Sequence, residues 1–283
     1  MSNPRIALLT AMALGAFAGN SLLCRAALAQ TGIDPASFTS IRLLSGAAAL
    51  WLLARLRGGA RTGSGNWLSA SALFAYASGF SFAYVQLPAA TGALILFGAV
   101  QITMIGHGIR TGERLGKVQI AGLLLACGGL LALLLPGLSA PPLVSAVLML
   151  GAGIAWGIYS LRGKNAGDPL QVTAGNFLRA TPIALVLSLL LSGNATMDST
   201  GICYAVLSGA LASGAGYAIW YAVLPALKST SAASLQLSVP VLAALGGIAF
   251  LGEALSLRLV LSSVAVIAGI AMVVLAVKRA DDR

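Results

Sequence analysis

Ionisable side chains are scarce in this 283-residue chain, which makes the position of each one informative. Seven carboxylates, one histidine and three cysteines are the whole stock from which acid–base, nucleophilic or metal chemistry could be built. Asp34, Glu113, Asp168, Asp198, Glu253, Asp281 and Asp282 all fall in breaks between apolar runs or at chain and run ends. His107 lies near the end of such a run, where it could titrate near neutral pH but equally suits a solvated helix end. Cys24, Cys127 and Cys203 lack CxxC spacing and are odd in number, so neither a disulfide framework nor a metal site is expected. Isolated thiols in apolar runs serve as small packing residues. An enzyme needs a clustered nucleophile, base or metal ligand set, and this stock does not supply one. There is no GxxxxGK[ST] loop, so direct nucleotide drive is not expected, nor is any cofactor.

The chemistry that remains belongs to neutral polar and aromatic groups set deep in apolar runs, where such groups are costly and mark binding sites. Asn20 lies late in the first run, and Trp156 and Tyr159 in the sixth. Tyr76, Phe80 and Tyr84 form an i, i+4, i+8 stripe in the third, and Tyr217 and Trp220 occupy the eighth. Gln101 and Gln236 lie within the fourth and ninth. Together they describe a cavity of π-faces and neutral hydrogen-bonding groups, suited to zwitterionic or aromatic solutes. The competing role for tyrosine and tryptophan near helix ends is the interfacial belt. Pro182, Pro225 and Pro240 interrupt the helical hydrogen-bond ladder and are candidate gating points, though a static kink satisfies the same chemistry. Arg42 and Arg179 lie one or two turns into the second and seventh runs. They could hold a carboxylate, but the expected role is snorkelling or bonding to helix-end carbonyls.

The elements that must position these groups span a bilayer. Only 8% of residues are charged against 58% hydrophobic, where a water-soluble domain carries about 25% charged residues. Ten apolar runs of about 20 residues, enough to cross about 30 Å of hydrocarbon, are expected at 5–27, 35–55, 66–87, 90–110, 117–136, 142–161, 170–192, 199–222, 229–251 and 256–277. Connections as short as Pro136 to Pro142 hold only a tight turn, so neighbouring helices are antiparallel. The first run resembles a signal peptide ending at Ala27-Leu28-Ala29, but it is too long and Arg25 stands just before the supposed site. The net charge of +10 does not indicate nucleic acid, because the basic residues sit at run ends rather than on one face. Thirteen of the 17 Lys and Arg fall on the side of the two termini, which the positive-inside rule makes cytoplasmic.

The runs repeat. Gly112-Glu113-Arg114-Leu115 matches Gly252-Glu253-Ala254-Leu255 at a spacing of 140, as Thr91-Gly92-Ala93 matches Ser231-Ala232-Ala233 and Gly129 matches Gly269. Ala77-Ser78-Gly79 pairs with Ala212-Ser213-Gly214, and Leu87-Pro88 with Leu224-Pro225, at slightly shorter offsets. Two five-helix units are expected, 1–138 and 139–283, and because five is odd the second crosses in the opposite sense. Inverted pairs of this kind build alternating-access carriers with a site near the midplane. Glycine permits a tight helix exit, and each glutamate is expected to meet the positive end of the helix that follows it, a structural role with proton coupling as the alternative. Gly151-Ala-Gly153 and the glycines from Gly209 to Gly216 are expected at close helix contacts.

The stretch from Ser229 through Gln236 to Pro240, followed by Phe250-Leu-Gly-Glu-Ala-Leu255, resembles the second repeat of the EamA-type carriers of the drug/metabolite transporter superfamily. The ten-helix plan matches over essentially the full length. Within that group the chain is most similar to bacterial aromatic amino acid exporters of the YddG type. The resemblance implies an all-α, multi-pass inner-membrane exporter of amino acids and related small metabolites, with helices one to four and six to nine around a central cavity. It departs at Val100, which stands where the second half has Pro240. The implied partners are a small-molecule substrate and the lipid bilayer, with a monomer as the working unit and no nucleic acid. An intramembrane enzyme and a channel are the competing classes, the latter disfavoured because no charge ring or filter motif is present.

Overall fold

The computed structural model describes residues 3–58, 64–112, 116–135, 140–163, 167–223, 235–236 and 238–281, and among them every regular element is helical. The first half comprises α1 (Asn3–Gln30), α2 (Pro35–Leu56), α3 (Trp67–Tyr84), α4 (Ala89–Arg110) and α5 (Lys117–Leu134). The second comprises α6 (Leu143–Gly163), α7 (Pro169–Leu190), an eighth span, α10 (Ser238–Leu251) and α11 (Leu257–Asp281). The eighth span is composite: α8 (Ser199–Leu207), a π-helical segment (Ser208–Ala215) and α9 (Gly216–Val223). The expected boundary at 138/139, Glu113, Pro225 and the start of the ninth run lie outside the described residues.

Seven spans, the composite Ser199–Val223 among them, are long and apolar enough to cross a membrane, and α10 and the Leu257–Val273 stretch of α11 are shorter apolar helices. The exception is α3, which carries the serines and tyrosines that face inward rather than an unbroken apolar surface. The fold is that of an α-helical multi-pass membrane protein. Large apolar side chains such as Leu124, Leu131, Leu189, Leu190 and Phe250 stay exposed on the outside, the arrangement expected where lipid is the solvent.

Local sequence sets the helix starts twice over. Asp34 caps α2 by accepting from the amides of Ala36 and Ser37, and Asp168 caps α7 by accepting from Leu170 and Gln171. Each is followed by a proline at the first helical position, where a missing N–H costs nothing. Asn66 caps α3 through Ser69 N–H and Asp198 caps α8 through Gly201 N–H, again at equivalent places in the two halves. Glycine ends the corner at both Gly112 (φ +97°) and Gly252 (φ +64°), a left-handed conformation that disfavours other residues.

Packing obeys the same duplication. The pairs α5–α11, α2–α7 and α4–α10 each map onto themselves when the halves are exchanged. The α3–α6 contact exchanges with that of the eighth span and α1, and α4–α6 exchanges with α10–α1. At the α5–α11 crossing, a Cβ added to Gly122 would stand 2.5 Å from Gly269 O, and one on Gly129 would stand 3.1 Å from Ser262 O, the matching contact by two-fold exchange. Of the expected glycine contacts, Gly153 abuts Leu96 O and Gly209 abuts Arg42 O and Ser45 Oγ, whereas Gly151 faces open space and makes none. Small residues let backbones approach where no hydrophobic gain between helices is available.

The face opposite the chain termini, here the distal face, is clasped between halves. Asp34 N–H donates to Thr196 O and its carboxylate accepts from Thr196 N–H, while Asp198 accepts from Gly32 N–H. Partial burial works to raise the Asp34 pKa, but hydrogen bonds from Ser37, Thr196 and Ala36 outweigh it and hold the carboxyl below its usual range. Asp198 is lowered chiefly by the Gly201 amide. α1 continues through Ala27 and Leu28, both buried, as an integral wall of the bundle.

Candidate functional site

At mid-depth, where α1, α3, α4, α6 and the eighth span converge, the inward side chains form one aromatic cluster around a small polar hub. Trp156 is its centre: its ring lies 4.8 Å from Tyr76, 4.7 Å from Tyr217 and 5.6 Å from Tyr159, and Phe17 packs edge-on at 6.3 Å. Phe17 also meets Tyr217 and Trp220 edge-on, and Phe80 lies between Tyr76 and Tyr84 along α3, tilted against the first and edge-on to the second. The hub is the Tyr76 hydroxyl. It accepts from Asn20 Nδ2 at 3.1 Å and Arg42 Nη2 at 3.1 Å, and lies 3.3 Å from the Tyr217 hydroxyl. Asn20 Oδ1 accepts from Ser208 Oγ at 2.7 Å, and Arg42 Nε donates to Ser213 Oγ at 3.2 Å.

The two serines explain the π segment. Five residues apart on an α-helix, at about 100° per residue, they would point about 140° apart. The i→i+5 bonding of a π-helix widens the turn and brings residues five apart onto one face, a device common at functional sites. Both serines are fully buried and both reach the hub from one span.

Asn20, Tyr76, Phe80, Trp156 and Tyr217 line a cavity together with Phe17, Ser21, Leu96 and Phe97. The space is about 10 Å³, room for about one water molecule, so the site is collapsed around itself in this conformation. The remaining sequence candidates do not line it. Tyr84 is buried one turn distal and donates to Ala89 O at 3.2 Å. Tyr159 lies towards the terminal face, where it lines a second small void with Asn176 and Tyr221. Trp220 is buried against Phe17, and Gln101 is buried with its Nε2 unpartnered. Gln236 is half-buried just before α10. Pro182 is exposed on α7, which runs unbroken through it, and Pro240 is buried as the third residue of α10, where its absent amide leaves no gap.

Two expectations need correction. Arg42 neither snorkels nor donates to a helix-end carbonyl: its guanidinium is buried at mid-bundle among hydroxyls and rings, because the π segment supplies Ser213 as its partner. Arg179 does follow that expectation, donating to Ser64 O and Gly175 O. Glu253 does not serve the start of its own helix. Its Oε2 accepts from Ala89 N–H at the start of α4 (2.8 Å), and its Oε1 pairs with Arg25 Nε at 3.1 Å. Arg25 also donates to the carbonyls of Tyr84 and Val85, so one ion pair ties α1, the α3–α4 corner and the α10–α11 corner over the distal side of the cavity.

The residues at the site that sequence reasoning did not select are Phe17, Ser21, Leu96 and Phe97 in the cavity wall, and Ser208 and Ser213 behind it. Phe17 is three residues from Asn20 and shares its helical face, a signal that was available. Ser208 and Ser213 were not legible, since their spacing fits no α-helical face. His107 is exposed in the last turn of α4, and no group of His, Cys, Asp or Glu able to hold a metal occurs among the described residues.

Comparison with known proteins agrees with this architecture. The model of the EamA-like transporter family matches residues 143–275. An uncharacterised protein of Pseudomonas aeruginosa is 57% identical over 274 residues, 96% of each chain. The threonine/homoserine exporter RhtA of Salmonella typhimurium is 34% identical over 133 residues, 44% of this chain and 43% of that protein. A solved crystal structure superposes with a TM-score of 0.70 at 18% identity, covering 97% of this chain and 99% of the other, a likeness of fold.

Proposed function

The chain belongs to the EamA-like transporter family, and from that premise we propose that it exports amino acids, aromatic or otherwise neutral, and related small metabolites across a bacterial inner membrane by alternating access. The observation that carries this reading is the mid-depth hub of Asn20, Tyr76 and Trp156 at the seam of the two halves. Its π-faces suit an apolar side chain, and its hydroxyls and amide suit the polar end of a zwitterion. The name of the relative RhtA, an exporter of threonine and homoserine, points to the same class of solute. Charge placement puts both termini in the cytoplasm, so the Arg25–Glu253 bridge lies on the far side and the conformation described is closed to the exterior.

No carboxylate faces the cavity among the described residues, so the carrier lacks an obvious proton or sodium ligand there. Solute then moves down its own gradient, in either direction. Uptake of a panel of labelled amino acids into proteoliposomes, with and without an imposed proton gradient, tests both statements. Saturable uptake of at least one neutral amino acid that is indifferent to a protonophore is expected. No uptake of any panel member would remove the amino-acid reading, and protonophore-sensitive accumulation would remove facilitated diffusion.

A further inference from the structure

We propose that Arg42 is the carboxylate anchor of this site, the group that recognises a solute as an amino acid by its acid end. The inference rests on the amino-acid reading above and assigns the residue that enforces it. Arg42 is 1% exposed, yet its acceptors are two neutral hydroxyls, Tyr76 and Ser213, and its Nη1 has no partner. A buried guanidinium without a counter-charge is expensive inside a bilayer. The chain does not provide one among the described residues. Asp34, Asp168 and Asp198 cap helices at the membrane faces, and Glu253 is taken by Arg25.

The cation stands against the wall of the cavity. Its centre lies 5.2 Å from the Tyr76 ring and 5.0 Å from the Phe80 ring, and both of those side chains line the void. Tyr76 is the movable piece of that wall. Its phenolic oxygen has two lone pairs and one proton, and it already serves Asn20, Arg42 and Tyr217. A carboxylate offers about four acceptor sites and the missing negative charge, and a guanidinium binds it in a two-pronged fashion through Nη1 and Nη2. The solute's acid group therefore takes the place of the Tyr76 hydroxyl on Arg42, and its side chain packs on Trp156 and Phe17. A purely structural Arg42, tying α2 to the eighth span through Ser213, would be indifferent to the charge of the solute.

The test compares an acid with its neutral isostere on the full-length protein. Binding of L-phenylalanine, L-threonine, phenylalaninamide and threoninamide is measured by thermal stabilisation, and by competition with uptake in proteoliposomes. The amides keep the ammonium group and the side chain and lose only the negative charge. Each amino acid is expected to bind at least about tenfold more tightly than its amide, as befits loss of a charge-assisted pair. In Arg42→Gln the ratio falls to about twofold or less, and Arg42→Lys retains part of it. If Arg42→Gln does not fold, the wild-type ratio decides alone. Amides that bind as well as the acids, or a preference that survives in Arg42→Gln, would overturn the role of Arg42 and leave the amino-acid reading intact. If neither acids nor amides bind, both fall together.

Discussion

Tyr76 illustrates how much one atom can organise in an apolar interior. Its hydroxyl is the meeting point of α1, α2, α3 and the eighth span, through Asn20, Arg42 and Tyr217. Tyr76→Phe keeps the ring and its packing on Trp156 but strips an acceptor from a buried amide and a buried guanidinium. Stranding such donors costs about 1–3 kcal/mol, more than the net value of the bonds themselves. The expected result is a lower thermal midpoint in detergent than for Tyr84→Phe, which removes only the bond to Ala89 O. Equal midpoints for the two variants would show that the hub carries no such weight.

Among the elements, the distal bridge is the contact that the proposed alternating access would have to break. Arg25 and Glu253 are partly exposed, at 20% and 13%, so the pair itself is worth no more than about 1 kcal/mol. Its effect is on population rather than folding: a bias of that size shifts two conformers several-fold. Glu253→Gln removes the charge while leaving an acceptor for Ala89 N–H. Cys24, beside Arg25 and fully buried, is a native reporter of opening. In a background without Cys127 and Cys203, labelling of Cys24 by a membrane-impermeant maleimide from the distal side is expected to rise several-fold in Glu253→Gln. An unchanged rate would mean that the bridge does not hold the closed state.

Over the whole molecule, the two-fold exchange of packing partners is what permits a second conformation of similar energy. Each half contributes the same helix pairs, so under the proposed mechanism swapping their roles would move the opening from one face to the other. The positive-inside rule, applied to the loop arginines and lysines, gives the expectation that both termini are cytoplasmic. A reporter active only in the cytoplasm is expected to work when fused to either end. A fusion silent at the C-terminus alone would overturn the even number of crossings, and fusions silent at both ends would overturn the orientation.

The sequence by itself determined the solvent, the number of crossings, the duplication and most of the aromatic cluster. Each follows from local or periodic signals: run length, loop charge, spacing of repeated corners, and rings one turn apart on α3. Tertiary structure alone decided what the two charged residues Arg42 and Glu253 do, because their partners lie 171 and 228 residues away in the chain. It also decided that Ser208 and Ser213 face the site together. That required the eighth span to leave α-helical geometry, and a change of helical pitch writes no periodicity into the sequence that a reader of 3.6-residue turns would recognise.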